Sequence, residues 1–228
     1  SGSTYLILAE PAEGTTQSKR RYWGSYILRT GISHPFMIQA PRPSFDINAL
    51  ETAASMFDAL NARVLMLGGA SPMANQDGSA DILDVNNKAN LFNAASQALL
   101  KASGNTSLVI VQSRATGTRR DLPMPSADIV IATDRGAHRD DQLTPLGKQV
   151  TDFFTRRGLS YVFSDGSLET AGYEAGGIAQ SFYLNATQNK ELLVFWSSPL
   201  ARPVFLNQTE STPQQAQATA LGLTTVKE

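Results

Sequence analysis

The chain holds two histidines, His34 and His138, and no cysteine, so imidazole chemistry rests on two positions and thiolate chemistry on none. Disulfides, thiol nucleophiles and cysteine sites for zinc or iron–sulfur clusters are excluded. His34 stands before a strand and reads as a surface or turn residue. His138 lies near Asp134, Asp140 and Asp141, and one imidazole with several carboxylates has the donor set for a hard cation or a weakly held zinc. A solvated loop has the same composition. Glu169 and Glu174 flank Gly172 in a glycine-rich loop that continues to Gly176-Gly177, where two carboxylates can divide the roles of acid and base. Exposed loop charges are the competing reading. The catalytic candidates are therefore His138, Glu169 and Glu174, with no metal site and no cofactor assigned. GxGxxG, GxxxxGK[ST] and GxSxG are all absent, which leaves dinucleotide binding, P-loop binding and a nucleophile elbow unsupported.

Arginine placement is more informative. Six of the thirteen arginines follow apolar runs: Arg42 after Phe36–Ala40, Arg114, Arg119 and Arg120 after Leu108–Val111, and Arg135 and Arg139 after Ile129–Ile131. In open α/β sheets, ligands sit outside the carboxyl ends of the strands. If these three strands are parallel, their arginines meet at one end and form a locally basic cleft on a chain of net charge −1. Guanidinium groups match carboxylates and phosphates bidentately, so the expected ligand is an anion. The expected ligand-binding residues are Arg42, Arg114, Arg119, Arg135 and Arg139. The plainer alternative pairs these arginines with Asp121, Asp134, Asp140 and Asp141 as solvated loop charges.

Short apolar runs alternating with amphipathic stretches must position these residues. Strands are expected at Tyr5–Leu8, Tyr22–Leu28, Pro35–Ala40, Val64–Leu67, Leu108–Val111, Ile129–Ile131, Tyr161–Phe163 and Leu192–Trp196. A first helix follows Asp46, whose carboxylate is placed to cap it, with Ile47, Leu50, Ala54, Phe57 and Leu60 on its inward face. A second spans Lys88 to Lys101, with Leu91, Ala95, Ala98 and Leu99 inward. A third is punctuated by Thr144 as cap, Pro145 at its first position and Gly158 past its end. The pattern predicts an α/β fold: a mixed, mostly parallel sheet flanked by helices on both faces, in a single domain. The first two strands have no helix between them and are expected to pair antiparallel at one edge. Residues 1–206 form the domain, and residues 207–228 a polar C-terminal tail or linker.

The 228 residues suffice for a sizeable core without staples. Nineteen basic against twenty acidic residues give no pull toward nucleic acid. No apolar run is long enough to be a transmembrane segment. The lack of cysteine fits an extracytoplasmic (periplasmic or secreted) protein.

Four segments carry a resemblance to a known family: FMIQAPRPSFD at Phe36–Asp46, VLMLGGAS at Val64–Ser71, LVIVQSR at Leu108–Arg114, and LLVFWSSPLAR at Leu192–Arg202. In the order of strands and loops across residues 36 to 202, the chain resembles zinc-dependent exopeptidase-like hydrolases, the fold of zinc carboxypeptidases and poly-gamma-glutamate hydrolases. The resemblance implies a zinc held by strand-end histidines and a glutamate, with a last-strand glutamate as base. This sequence departs from it at those points. Arg42 follows the third strand, Ser113 and Arg114 end the LVIVQSR segment, and the last strand offers Val194, Phe195 and Trp196. The expectation is a catalytically degenerate hydrolase-like domain. It would bind an anionic peptide or polysaccharide outside the cytoplasm, as a scaffolding module of a larger envelope protein. The alternative is an active hydrolase, either a metal-dependent amidase or peptidase through His138, or a glycosidase-like enzyme through Glu169 and Glu174.

Overall fold

The computed structural model describes residues 4–10, 22–117, 121–136, 139–182, 184 and 189–206. Within them the apolar runs become β1 (Tyr5–Ala9), β2 (Ser25–Arg29), β3 (His34–Ala40), β4 (Ala62–Leu67), β5 (Leu108–Ala115), β6 (Ile129–Thr133), β7 (Tyr161–Phe163) and β8 (Lys190–Ser197). The helices are α1 (Ala49–Ala59), α2 (Leu91–Ser103), α3 (Pro145–Thr155), α4 (Ala179–Phe182) and α5 (Arg202–Leu206). All eight strands join one sheet in the order β1-β2-β4-β3-β5-β8-β6-β7. Strands β3, β4, β5 and β8 run parallel, while β2 runs against β4 and β6 against β8. Strand β1 pairs antiparallel with β2 at one edge. The fold is thus α/β, a mixed sheet in one domain, as the alternation of elements predicts.

The interior strands β5 and β8 are buried along almost their whole length, which is why Leu108–Val111 and Leu192–Trp196 read as continuous apolar runs. Residues alternate between two cores. One face carries Phe36, Ile38, Val109, Val111 and Phe195 against Met56 and Phe57 of α1, Val150, Phe153 and Phe154 of α3, and Phe205 of α5. The other carries Met37, Ile110, Val130, Val194 and Trp196 against Phe92 of α2 and Tyr173 of a long loop. Helices therefore cover both faces, and no helix among the described residues is long and apolar enough to cross a membrane.

Helix α3 starts as its punctuation predicts. The Thr144 hydroxyl oxygen accepts from Gly147 N at 3.0 Å, and Pro145 occupies the first turn. The same hydroxyl donates to Glu191 Oε2 at 2.5 Å, so a buried carboxylate at the start of β8 faces the positive end of the helix. Helix α1 differs from expectation. Its N-cap position is Asn48 in the left-handed region (φ 60°), without a side-chain cap bond. This turn rotates the helix so that Ala49, Thr52, Ala53, Met56 and Phe57 face inward, whereas Ile47, Leu50 and Ala54 are exposed. Helix α2 begins at Leu91, capped by Asn90, and buries Phe92, Asn93 and Ser96 while Leu91 and Ala98 face outward. The predicted tail, residues 207–228, lies outside the described residues.

Tyr26 of β2 is buried, and its hydroxyl donates to the carbonyl of Trp23 at 2.6 Å. Burial pushes its pKa from 10.0 up to about 12. An unfolded tyrosine loses its proton near the lower value, so between the two the folded state holds more protons and stability falls as pH rises. The urea midpoint is expected to drop between pH 10 and 12, and less steeply in Tyr26→Phe. Identical slopes in both proteins would contradict this.

Candidate functional site

The carboxyl ends of β3, β4, β5 and β8 lie at one edge of the sheet. Because β6 is antiparallel to β8, its carboxyl end lies at the opposite edge. The arginines predicted to share one cleft are therefore divided. Arg42 and Arg114 belong to the first edge. Arg135 is at the other, where one Nη atom donates to the carbonyl of Lys190 at the start of β8, at 2.6 Å. Arg139 follows at that far side, in an exposed 3.3 Å pair with Asp141. Arg119, Arg120 and His138 lie outside the described residues. The connection from β5 to β6 runs from Thr116 to Asp128, holds Gly117, Pro123 and Pro125, and contains no helical periodicity. That lack of a helical pattern in the sequence is the signal that a parallel β6 was unsound, since parallel strands of one sheet are joined by a crossover connection, usually a helix.

At the first edge, a cleft of about 490 Å³ opens above the ends of β5 and β8, with Arg114, Asp46, Phe45, Leu122, Tyr173 and Trp196 among its walls. The backbone alternation of β5 puts Ile110, Gln112 and Arg114 on the face covered by α2. Gln112 there donates to Gln39 Oε1 at 2.9 Å, and Gln39 donates to Ser96 of α2 at 3.0 Å. Trp196 takes the corresponding place on β8, with its ring 5.1 Å from that of Tyr173. Tyr173 comes from the loop after β7, which crosses the sheet face to reach the cleft. Its glycine-rich surroundings were the only sequence sign of a site there.

Arg114 is the buried charge of this cleft. Its Nε donates to Asp46 Oδ2 at 2.5 Å, and both side chains are largely closed to solvent. Asp46 therefore neutralises Arg114 and does not cap α1 through its carboxylate. Burial lowers the guanidinium pKa, the Asp46 carboxylate raises it, and Arg42 nearby lowers it again. An arginine stays cationic through such changes. The two Nη atoms of Arg114 have no hydrogen-bond partner among the described residues. Arg42 is held differently, with Nε on Asp81 Oδ1 at 3.0 Å and Nη2 on the other oxygen of the same carboxylate. Asp81 also receives Leu83 N at 3.1 Å. This two-pronged pair clamps the loop after β4, and Arg42 does not line the cleft.

The two candidate carboxylates have different surroundings. Glu174 lines a second hollow of about 250 Å³ between the β7 loop and the end of β6. Glu169 is not among that hollow's walls, and one of its carboxylate oxygens accepts from Ser126 at 3.1 Å. His34 opens β3 at the far edge, exposed, with its backbone N–H on Asn61 O at 2.8 Å.

The strand ends at which the resemblance places zinc ligands do not fit a zinc ion. A guanidinium offers no lone pair, Asp46 and Asp81 are each engaged by an arginine, and β8 ends in Trp196 and Ser197 without a carboxylate or imidazole. Among the described residues, no three His, Cys, Asp or Glu side chains cluster so that they could hold a metal ion. No family model matches the chain, and no curated protein matches it.

Proposed function

We propose that this chain is a binding domain on a hydrolase-like scaffold, and that its cleft takes an anionic group of a peptide or polysaccharide on Arg114. The carrying observation is the buried guanidinium, which has one carboxylate partner and two Nη atoms without a partner among the described residues. The two Nη atoms reach the solvent of the cleft, where a ligand carboxylate supplies two acceptors in the matching geometry. Phe45, Leu122 and Trp196 add apolar walls for the group that bears the anion. The resemblance to zinc-dependent exopeptidase-like hydrolases supports the reading at one point. The ends of β5 and β8, strand ends at which that family holds its metal, meet here and carry Arg114 and Trp196. In this reading Arg42 holds the fold, and Arg135 and Arg139 take no part. The lack of cysteine is compatible with a place outside the cytoplasm.

Calorimetric titration with poly-γ-glutamate and oligogalacturonate, each beside a neutral counterpart, tests it. Arg114→Lys keeps the charge and loses the planar fork, so the Kd of the anionic ligand is expected to rise about tenfold or more. Phe45→Ala, at a half-exposed wall, is expected to weaken binding without harming the fold. Equal affinity for neutral and anionic forms, or unchanged binding in both variants, would overturn the proposal.

A further inference from the structure

The chain has two tryptophans, and they differ sharply in exposure: Trp196 is 7% accessible and Trp23 is 53%. Trp23 stands beside an open hollow of about 550 Å³, shared with Lys88, Leu91, Ala94 and Gln97. A half-exposed indole offers an accessible aromatic face with a polar N–H at its rim.

The backbone that presents Trp23 is built tightly. Tyr22 holds a left-handed φ of 52° and Gly24 one of 86°. A Cβ on Gly69, just past β4, would overlap Tyr22 O and Gly24 N. The buried Tyr26 hydroxyl holds the Trp23 carbonyl from beneath. The indole therefore sits on a support that cannot rearrange without unpacking the sheet edge. Such preorganisation reduces the ordering cost of binding.

We propose that Trp23 is the stacking platform of a second ligand site, one that takes a sugar ring of a polysaccharide. A pyranose has an apolar C–H face and a rim of hydroxyls. The indole matches the face, and the Gln97 amide matches the rim. The Gln97 side chain has no hydrogen-bond partner among the described residues. Asn90 is not part of the match, because its amide is spent on Asn93 N and Asn87 O. A peptide anchor would call for a deeper apolar pocket than Leu91 and Ala94 provide.

The position adds to this. Ser25 pairs with Leu67, so Trp23 lies at the carboxyl end of β4, the same edge that holds Arg114. Helix α2 and Trp196 cover and belong to the same sheet face. Strands β2 and β5 are three steps apart, roughly 14 Å. One polymer can thus stack on Trp23 and place a charged unit on Arg114, and only this sharing rests on the function proposed above.

The test uses the whole chain with neutral β-1,4-linked N-acetylglucosamine and glucose tetramers, oligogalacturonate and poly-γ-glutamate. Acrylamide quenching of tryptophan emission and calorimetry are the readouts. At least one oligosaccharide is expected to shield Trp23 from acrylamide. Trp23→Ala should weaken that binding about tenfold, Trp23→Phe should retain most of it, and Arg114→Lys should leave a neutral tetramer's Kd within about twofold. The stacking site is overturned if no oligosaccharide shields Trp23, if Trp23→Ala binds like the parent, or if poly-γ-glutamate shields it equally well. Binding lost only in Arg114→Lys removes the Trp23 site and leaves the cleft; binding lost only in Trp23→Ala does the reverse.

Discussion

Arg114→Met is expected to destabilise the fold by about 3–5 kcal/mol, because it leaves the Asp46 carboxylate buried with no counter-charge. Asp46 is 5% accessible and Arg114 9%, so neither can turn to bulk water without moving the loop before α1. For a chain of this length each kcal/mol shifts Tm by roughly 2–4 °C, which puts the expected loss at roughly 6–20 °C. The double variant Asp46→Leu/Arg114→Met should recover much of this, since replacing both partners removes the stranded charge. Calorimetric melting of the two variants and the parent decides the matter. A single variant within about 1 kcal/mol of the parent would mean that the pair is solvated and that the cleft is wet to its floor.

The second large effect is expected from Gly24→Ala. An alanine there must adopt a φ of 86° and set its methyl against the carbonyl oxygen of Leu67. Left-handed strain costs about 1–3 kcal/mol, and a backbone overlap adds about 1–3 kcal/mol as neighbours shift. The sum, about 2–6 kcal/mol, is a large part of the stability of an ordinary domain. Gly31→Ala is the comparison. It has a positive φ of 123° but nothing near its added methyl, so it reports strain without overlap. If the two variants unfold at the same urea concentration, the close approach of the Tyr22–Gly24 backbone to β4 does not limit stability.

Much of the framework was legible in the apolar runs, because a strand buried on both faces has little room for polar residues. Helix α3 was legible down to its cap, since Thr144, Pro145 and Gly158 each meet a backbone requirement at a helix end. Helix α1 was legible as a helix but not in its facing. Ile47, Leu50 and Ala54 satisfy the three- and four-residue spacing as well as Ala49, Ala53 and Met56 do. The left-handed turn at Asn48, which chooses between the two sets, has no apolar signature.

The direction of β6 could not be read from its own residues, because Ile-Val-Ile is the same in either sense. Only the connection before it carried that information. Treating it as parallel merged two sheet edges and spread one site over both. Arg114 was found because β5 does run with β3. Its partner Asp46, and Asp81 beside Arg42, were missed because they lie 68 and 39 positions away in the chain. Trp23 and Tyr173 went unremarked because exposure and cross-sheet reach belong to the assembled fold.

The reversal of β6 has a bearing on how such a protein can diversify. The segment from Thr116 to Asp128 leaves and re-enters the sheet at the same edge, and supplies Asp121 and Leu122 to the cleft. Its two ends are anchored by β5 and β6, which lie on either side of β8. Lengthening a connection of this kind costs only about 0.6 kcal/mol for each doubling. Selection can therefore rewrite one wall of the cleft, by insertion or exchange, without disturbing a strand. The scaffold keeps its core while its ligand preference drifts.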